Sequence, residues 1–183
     1  MTCIVGLVSE NGQIVMGGDS AAVDGLTMTL ARDPKVFQFG LEFVFGYSGS
    51  FRIGQLLQYA FSPSVQKESQ SDLEYLVTDF CQEWRQVLEL HGAIQGRTGT
   101  DEMEAEVLIG YRGSLYQMDG DFQITPNRHG YAAVGSGSDI ALGALAASGR
   151  VGNASKRVRL ALEASALHCA GVRGPFSLVV LKV

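Results

Sequence analysis

Short apolar runs separated by polar turns fill the first quarter of the chain and predict a series of strands. The first two runs flank Asn11-Gly12, a dipeptide that favours a tight hairpin. We therefore expect the chain to begin inside a sheet and to fold straight back on itself. Asp33-Pro34 interrupts the apolar pattern further on. The strands predicted in this region are 4–8, 13–16, 26–30, 35–39 and 41–47.

Apolar residues next recur at spacings of three and four, which is the periodicity of a helix with one buried face. The first such stretch covers 51–61, and the second runs from a Ser-x-x-Glu capping box at 71–74 to about residue 90. Polar residues and glycines over 91–104 then predict an exposed loop. The side chains expected to face the core from the second helix are Leu73, Leu76, Val77, Phe80, Trp84, Val87 and Leu88.

Strand patterns resume after this loop and are followed by two more helices. A glycine-serine turn, with Ser138 as a cap residue, is expected to start the first of these helices. The order is strands, two helices, strands, two helices, strand, which predicts an α+β fold or a layered sandwich in one domain, 1–183. The strands predicted here are 106–111, 115–118, 122–125, 131–134 and 176–181, and the helices are 140–147 and 155–170.

Composition narrows the possible partners. The 183 residues are 46% hydrophobic, which is enough for one well-filled core. A net charge of −5 without a basic cluster disfavours nucleic acid as a partner. No apolar run approaches the ~20 residues that span a bilayer. The first residues lack the charged segment and cleavage site of a signal peptide, so we expect neither a membrane contact nor export.

Cysteine and histidine usage points to a reducing compartment and to no bound metal. The three cysteines are far apart and form no disulfide framework, which fits the cytoplasm. The three histidines have no metal-ligand spacing to one another or to the cysteines. We therefore expect a cytoplasmic protein without a metal or another cofactor.

Thr2 is the first candidate for chemistry. Removal of Met1 would place an α-amine and a hydroxyl on one residue, and a threonine can then act as nucleophile with its own amine as base. The predicted hairpin would bring Asp19 back beside residue 2. The ordinary alternatives are that Thr2 only starts a strand and that Asp19 only ends a hairpin.

Four features of the chain carry a resemblance to a known family. They are Thr2 on a leading strand, Asp19 in Gly-Gly-Asp-Ser, Lys35 in Asp-Pro-Lys-Val-Phe, and Gly-Ser-Gly-Ser at 135–138. With these features the chain resembles a proteasome β-type subunit of the N-terminal-nucleophile hydrolase superfamily. It is similar to HslV-type bacterial peptidases and to the short proteasome-like proteins of bacteria and phages. The resemblance implies a four-layer αββα sandwich, with two stacked antiparallel sheets between helical layers.

The resemblance also implies a role for each candidate residue. Thr2 would be the nucleophile, Lys35 would lower the pKa of its hydroxyl, and Asp19 would keep the buried ammonium charged. Gly49 falls where the family places the backbone N–H of the oxyanion hole, and Ser136 matches a serine that hydrogen-bonds near the threonine amine. Each residue also has an ordinary interpretation: a solvated lysine, a helix entry or a turn serine.

Further residues are implied around the pocket for the residue that precedes the cleaved bond. Tyr47 and Phe51 would make that pocket apolar, whereas Phe37 is equally well explained as a core residue. The residues implied around this pocket are Ala22, Asp33, Phe37, Tyr47 and Phe51.

The chain departs from the family pattern in two places. The family usually carries an aspartate and then a serine near the end of the last long helix, and 168–175 contains neither. The arginine usually found shortly after the first aspartate is also absent, because Ala21 and Ala22 occupy that region. The network around the threonine amine and Ser136 is therefore expected to lack a carboxylate.

These features favour an N-terminal threonine peptidase that assembles into a ring enclosing its active sites. Its substrate would be a peptide or an unfolded protein, and such chambers usually work with an unfolding ATPase. The alternative is a catalytically silent ring or scaffold subunit that retains Met1. A third interpretation is a small-molecule amidase on the same fold.

Overall fold

The computed structural model describes residues 1–94, 102–149 and 152–182. The structure is of the α+β class, as predicted. Its strands are β1 (Ile4–Val8), β2 (Ile14–Gly18), β3 (Ala21–Asp24), β4 (Thr27–Leu30), β5 (Val36–Phe39), β6 (Phe43–Gly49), β7 (Ala105–Tyr111), β8 (Ser114–Met118), β9 (Ile124–Pro126), β10 (Tyr131–Val134) and β11 (Ser177–Leu181). Its helices are α1 (Phe51–Tyr59), α2 (Asp72–Tyr75), α3 (Cys81–Leu90), α4 (Ser138–Ser148) and α5 (Ala154–His168), and the π-helical segment Leu76–Phe80 joins α2 to α3.

The strands form two main antiparallel sheets and a separate hairpin. One sheet has the order β10-β1-β2-β11, the other has the order β5-β6-β7-β8-β9, and β3 pairs only with β4. The predicted first hairpin is confirmed: β1 pairs with β2, and Gly12 takes a positive φ of 82° in the turn. Because Ile4 lies opposite Gly18, this register carries the next residue, Asp19, back to the start of β1.

Three hydrophobic clusters hold these elements together. Between the two main sheets lie Ile4, Ile14 and Met16 of one sheet and Val36, Val44 and Leu108 of the other. The sheets lie close together at Gly46, where a Cβ atom would come within 3.0 Å of the Met16 sulfur and closer still to Ile4. The outer face of the β1 sheet packs on α4 and α5, and the outer face of the β6 sheet packs on α1 and α3.

Several sequence-based boundaries need correction. The strand β3 was not predicted, and β6 begins at Phe43 rather than at residue 41, where Leu41 is exposed. The prediction of Ser138 as a cap was wrong, because α4 begins at Ser138 itself and Gly137 occupies the N-cap without a side-chain hydrogen bond. The predicted loop over 91–104 includes 95–101, which lie outside the described residues.

The long predicted helix contains an irregularity that the periodicity did not show. Its capping box is present, with Ser71 and Glu74 exchanging hydrogen bonds. Leu73 and Val77 were expected to face inward but are exposed, while Tyr75 is fully buried. A π-helical turn has a different angular spacing from an α-helix, so a 3.6-residue period cannot be carried across it. On and after this turn, Leu76, Phe80, Trp84 and Leu88 are buried and Val87 is partly buried, as predicted.

Within the described ranges, none of the helices combines the length and the apolar character that a bilayer crossing requires.

Candidate active site

Lys35 lies at the centre of a buried polar cluster where three strand ends meet. Thr2 precedes β1, Asp19 follows β2, and Lys35 immediately precedes β5. The Lys35 Nζ donates to Thr2 Oγ1 at 2.9 Å, to Asp19 Oδ1 at 3.0 Å and to the Ala21 carbonyl at 2.6 Å. All three donors of the ammonium group are thus used, although the side chain is only 1% exposed.

Asp19 is held by more than its ion pair with Lys35. Its Oδ1 also accepts from the Cys3 backbone N–H at 3.0 Å. Its Oδ2 accepts from the backbone N–H groups of Ala21 at 3.0 Å and Arg173 at 3.3 Å. The carboxylate therefore fixes the start of β1, the end of β2 and the segment before β11 around one point.

Two opposing effects act on the charge of Lys35. Burial lowers the pKa of the ammonium group, while the negative charge of Asp19 and its hydrogen bond raise it. The first effect is the larger, so the pKa of Lys35 lies below its ordinary value. The Phe51 ring centroid lies 5.6 Å from Nζ, a cation–π contact that favours the charged form. The cluster therefore places a buried lysine, whose pKa is lower than usual, directly against the Thr2 hydroxyl.

The main chain of Thr2 is enclosed by the turn that joins β10 to α4. The Thr2 N–H donates to Ser136 Oγ at 3.2 Å, and Ser136 Oγ donates in turn to the Thr2 carbonyl at 3.3 Å. The Gly137 N–H also donates to that carbonyl at 3.2 Å. Gly135 has a φ of +92°, and a Cβ there would lie 2.5 Å from the Thr2 oxygen. The glycines of this turn let it lie directly on the strand that carries Thr2.

Two residues at this turn were not anticipated. The Cys169 thiol donates to Ser136 Oγ at 3.5 Å, so a thiol contacts the serine in the stretch where the family pattern led us to look for a carboxylate. Glu106, on β7 opposite Ser48, accepts from the Gly135 N–H at 3.0 Å. A glutamate heading an otherwise apolar strand is the only signal that the sequence offered for Glu106, and Cys169 offered none.

Gly49 ends β6 in a conformation that only glycine adopts readily. Its φ is +98°, and a Cβ there would come within 2.9 Å of Ala105 Cα and closer to the Glu104 carbonyl. The preceding residue, Ser48, faces the turn that holds Thr2, because a Cβ on Gly135 would lie 3.0 Å from Ser48 Oγ. The predicted oxyanion residue therefore ends the strand that approaches the Thr2 turn.

The predicted pocket residues occupy different environments. Ala22 follows the residue whose carbonyl accepts from Lys35, and Phe51 contacts the ammonium group. Tyr47 packs edge-on against Phe51 with centroids 6.1 Å apart, and burial raises its pKa to about 12. Phe37 is buried in the core with its ring 5.9 Å from that of Phe45, in accord with the core interpretation. The role of the other residues as a pocket stays a prediction.

Met1 alters the chemistry of the cluster while it is present. Thr2 Oγ1 donates to the Met1 carbonyl at 2.7 Å, and the Thr2 nitrogen belongs to the peptide bond with Met1. An amide nitrogen has no basic lone pair, so the hydroxyl has a cation beside it but no base. The neighbouring Cys3 is not a substitute nucleophile, because burial raises the pKa of its thiol to about 11.

The described residues contain no group of three or more histidine, cysteine, aspartate or glutamate side chains arranged to hold a metal ion.

Solved structures similar to the chain cover almost its whole length. BPH from Thiobacillus denitrificans is 20% identical with a TM-score of 0.80, over 98% of this chain and 97% of that one. The structure of BPH in complex with epoxomicin is 21% identical with a TM-score of 0.79, over 98% of this chain and 100% of that one. The eukaryotic HslV from Trypanosoma brucei is 19% identical with a TM-score of 0.70, over 99% of each chain. No protein-family model and no curated protein matches the chain. The likeness confirms the predicted resemblance at the level of the fold, which is that of the proteasome-like N-terminal-nucleophile hydrolases.

Proposed function

We propose that the chain is an N-terminal threonine peptidase in which Thr2, freed of Met1, is the nucleophile. The observation that carries the proposal is the 2.9 Å contact between Lys35 Nζ and Thr2 Oγ1, inside a buried ion pair with Asp19. Burying a lysine and an aspartate together costs desolvation free energy. A buried lysine that donates one of its three hydrogen bonds to a threonine hydroxyl is better explained by chemistry than by stability.

The proposed reaction proceeds through an ester on Thr2. Oγ1 attacks the substrate carbonyl carbon while its proton passes to the α-amine, and Lys35 stabilises the negative charge on Oγ1. Gly49 N–H donates to the oxygen of the tetrahedral intermediate. The C–N bond then breaks and the leaving nitrogen takes the proton from the α-ammonium. Water then attacks the ester carbon while the same amine takes its proton, the C–Oγ1 bond breaks, and Oγ1 takes that proton back as the acid product leaves.

We further propose the assembly and the substrate. Ala22, Tyr47 and Phe51 would line an apolar pocket for the residue before the cleaved bond, and the substrate would be a peptide or an unfolded protein. Residues 1–183 would form one four-layer αββα domain that assembles with copies of itself into a ring in the cytoplasm. An unfolding ATPase would be its partner.

One observation favours a second candidate, a silent ring or scaffold subunit. In the chain with Met1, the Thr2 hydroxyl is already hydrogen-bonded to the Met1 carbonyl and the amine is absent. A protein that kept Met1 in the cell would retain the fold and the charged cluster without a functioning base.

The first test is the intact mass of the purified protein with N-terminal sequencing. A mass short by one methionine supports the peptidase, and a full-length mass supports the silent subunit. Met1-free protein should then hydrolyse unstructured peptides, whereas Thr2→Ala should be inactive and Thr2→Ser should keep measurable turnover. Retained turnover in Thr2→Ala would refute the nucleophile assignment. Because a similar BPH structure holds epoxomicin, its binding to Met1-free protein is a second probe.

Light scattering on the same sample tests the assembly. A mass of many copies supports the ring, and a monomer or dimer that cleaves small amides but no peptide would favour the amidase.

A further inference from the structure

The side chain of Met1 packs against Gly171, on the face from which a Cβ atom would project. A Cβ atom at residue 171 would lie 2.7 Å from Met1 Sδ, 2.8 Å from Met1 Cγ and closer still to Met1 Cβ. The three nearest atoms that such a Cβ would meet all belong to Met1. The φ of Gly171 lies outside the left-handed region, so its backbone does not require glycine. The missing side chain at 171 therefore leaves space beside Thr2.

This space has a fixed position relative to the charged cluster. The Arg173 N–H donates to Asp19 Oδ2 at 3.3 Å, and the Ser20 N–H donates to the Arg173 carbonyl at 2.9 Å. Cys169 lies on the other side of Gly171 in the chain and contacts Ser136, which accepts from the Thr2 nitrogen. The segment is thus anchored on both sides of Gly171, and the space opens next to the Thr2 nitrogen.

The reaction places a defined part of the substrate at the same nitrogen. The leaving nitrogen must approach the Thr2 amine to take its proton, so the residue after the cleaved bond lies beside that amine. The residue before the bond lies toward the Thr2 hydroxyl, where Lys35 and Phe51 are. When Met1 is removed, the volume that its side chain fills against Gly171 is vacated on the leaving-group side.

We infer that the face of Gly171 is the subsite for the residue that follows the cleaved bond. It accepts a flexible apolar side chain of the size of methionine, because Met1 itself fills it while only about half exposed (56%). This inference rests on the proposed peptidase function. It adds a specificity on the leaving-group side, determined by the absence of a side chain at residue 171.

The test uses Met1-free protein, prepared where necessary by cleaving an N-terminal fusion directly before Thr2. Two internally quenched peptides are identical except for the residue after the cleaved bond, which is methionine in one and glycine in the other. Gly171→Ala should lower kcat/KM for the methionine peptide at least about tenfold, the scale of one methyl group in a pocket, and leave the glycine peptide within about twofold. The control is Gly143→Ala on α4, where an added Cβ meets nothing within 4 Å. It should leave both peptides within about twofold.

The outcomes separate the subsite from the peptidase. An equal change for both peptides in Gly171→Ala, or no change for either, overturns the subsite while the peptidase stands. No cleavage of any peptide by Met1-free wild type refutes the proposed function and the subsite with it. If Gly171→Ala does not fold, wild type is assayed with glycine, alanine, leucine and methionine after the cleaved bond. A rate that rises with side-chain size supports the subsite, and a flat series overturns it.

Discussion

The two sides of Thr2 are built on different physical principles. Its hydroxyl faces a buried ion pair in which the ammonium group of Lys35 and the carboxylate of Asp19 are fully hydrogen-bonded. Its nitrogen faces Ser136, and the hydrogen-bond partners of that serine within the described residues are uncharged. Ser136 is also exposed, whereas Lys35 is not.

This difference predicts how strongly a substitution on each side should affect stability and activity. A buried charge that loses its partner costs far more free energy than an exposed hydrogen bond that water can replace. The hydroxyl side should therefore respond to substitution in both stability and activity. The nitrogen side should respond mainly in activity, and by smaller factors.

The largest effect is expected from Lys35→Met. It leaves the Asp19 carboxylate buried without a counter-charge, which should cost about 3–5 kcal/mol of unfolding free energy. Activity of Met1-free protein should fall about 10⁴-fold, the scale seen when one member of a catalytic triad is lost. Denaturant unfolding and peptide hydrolysis measure the two effects.

The matched control is the double variant Lys35→Met with Asp19→Asn, which removes both charges. It should be more stable than Lys35→Met alone, because no unpaired charge is buried, although the asparagine oxygen can replace only one of the two carboxylate oxygens that accept from backbone N–H groups. It should be equally inactive, because both variants lack the ammonium group. A double variant less stable than either single one would show that the ion pair is not the source of the loss.

Gly49→Ala tests the second element of the hydroxyl side. The added methyl would meet the Glu104 carbonyl and the backbone would be held at a φ of +98°, so the N–H must turn or shift. We expect kcat to fall about 10²- to 10³-fold, the scale of one lost oxyanion-hole donor. Gly40→Ala is the control, because its φ is +57° but nothing lies within 4 Å. It should lose about 1 kcal/mol of stability with unchanged kcat, and an equal fall in kcat for both variants would contradict the prediction.

Ser136→Ala should have a smaller effect and sharpens the contrast between the sides. One neutral hydrogen bond is worth about 0.5–1.5 kcal/mol, so kcat/KM should fall roughly tenfold or less with little change in melting temperature. Ser138→Ala is the control, since Ser138 is the first residue of α4 and not its N-cap, and it should stay within about twofold. A loss above about 10³-fold in Ser136→Ala would place Ser136 on a level with Lys35 and remove the distinction.

Each side was predictable only in part: Asp19 followed from the residues, and Ser136 on the nitrogen side followed from the family resemblance. Asn11-Gly12 between two apolar runs predicts a hairpin, and the length of that hairpin returns Asp19 to residue 2. Lys35 needed the family resemblance, because a lysine before a strand is usually solvated. Cys169 and Glu106 contact the turn from positions 33 and 29 residues away in the chain, and no local pattern encodes such contacts.

The secondary structure was also predictable only in part from the sequence. Helices followed from the spacing of apolar residues, because each buries one face, and the central strands followed from short apolar runs between turns, because both of their faces are buried. The π-helical segment Leu76–Phe80 and the strand β3 did not follow. The first changes the period within one apolar run, and the burial of β3 falls along its four residues instead of alternating, so it lacks the pattern that predicted β4.

The smallest effect is expected from Cys3→Ser, although Cys3 adjoins Thr2. The thiol is fully buried and donates to Ser165 Oγ at 3.5 Å, a bond that a serine hydroxyl can replace. Activity should stay within about threefold and stability should change by about 1 kcal/mol.

Burial raises the pKa of the Cys3 thiol from its ordinary 9.0 to about 11, so the unfolded chain loses this proton first as the pH rises. The wild type should therefore lose stability between pH 9 and 11 more steeply than Cys3→Ser. Parallel pH dependences would show that folding does not raise the pKa of this thiol. Complete loss of activity in Cys3→Ser would make Cys3 the reacting group and displace Thr2 from that role.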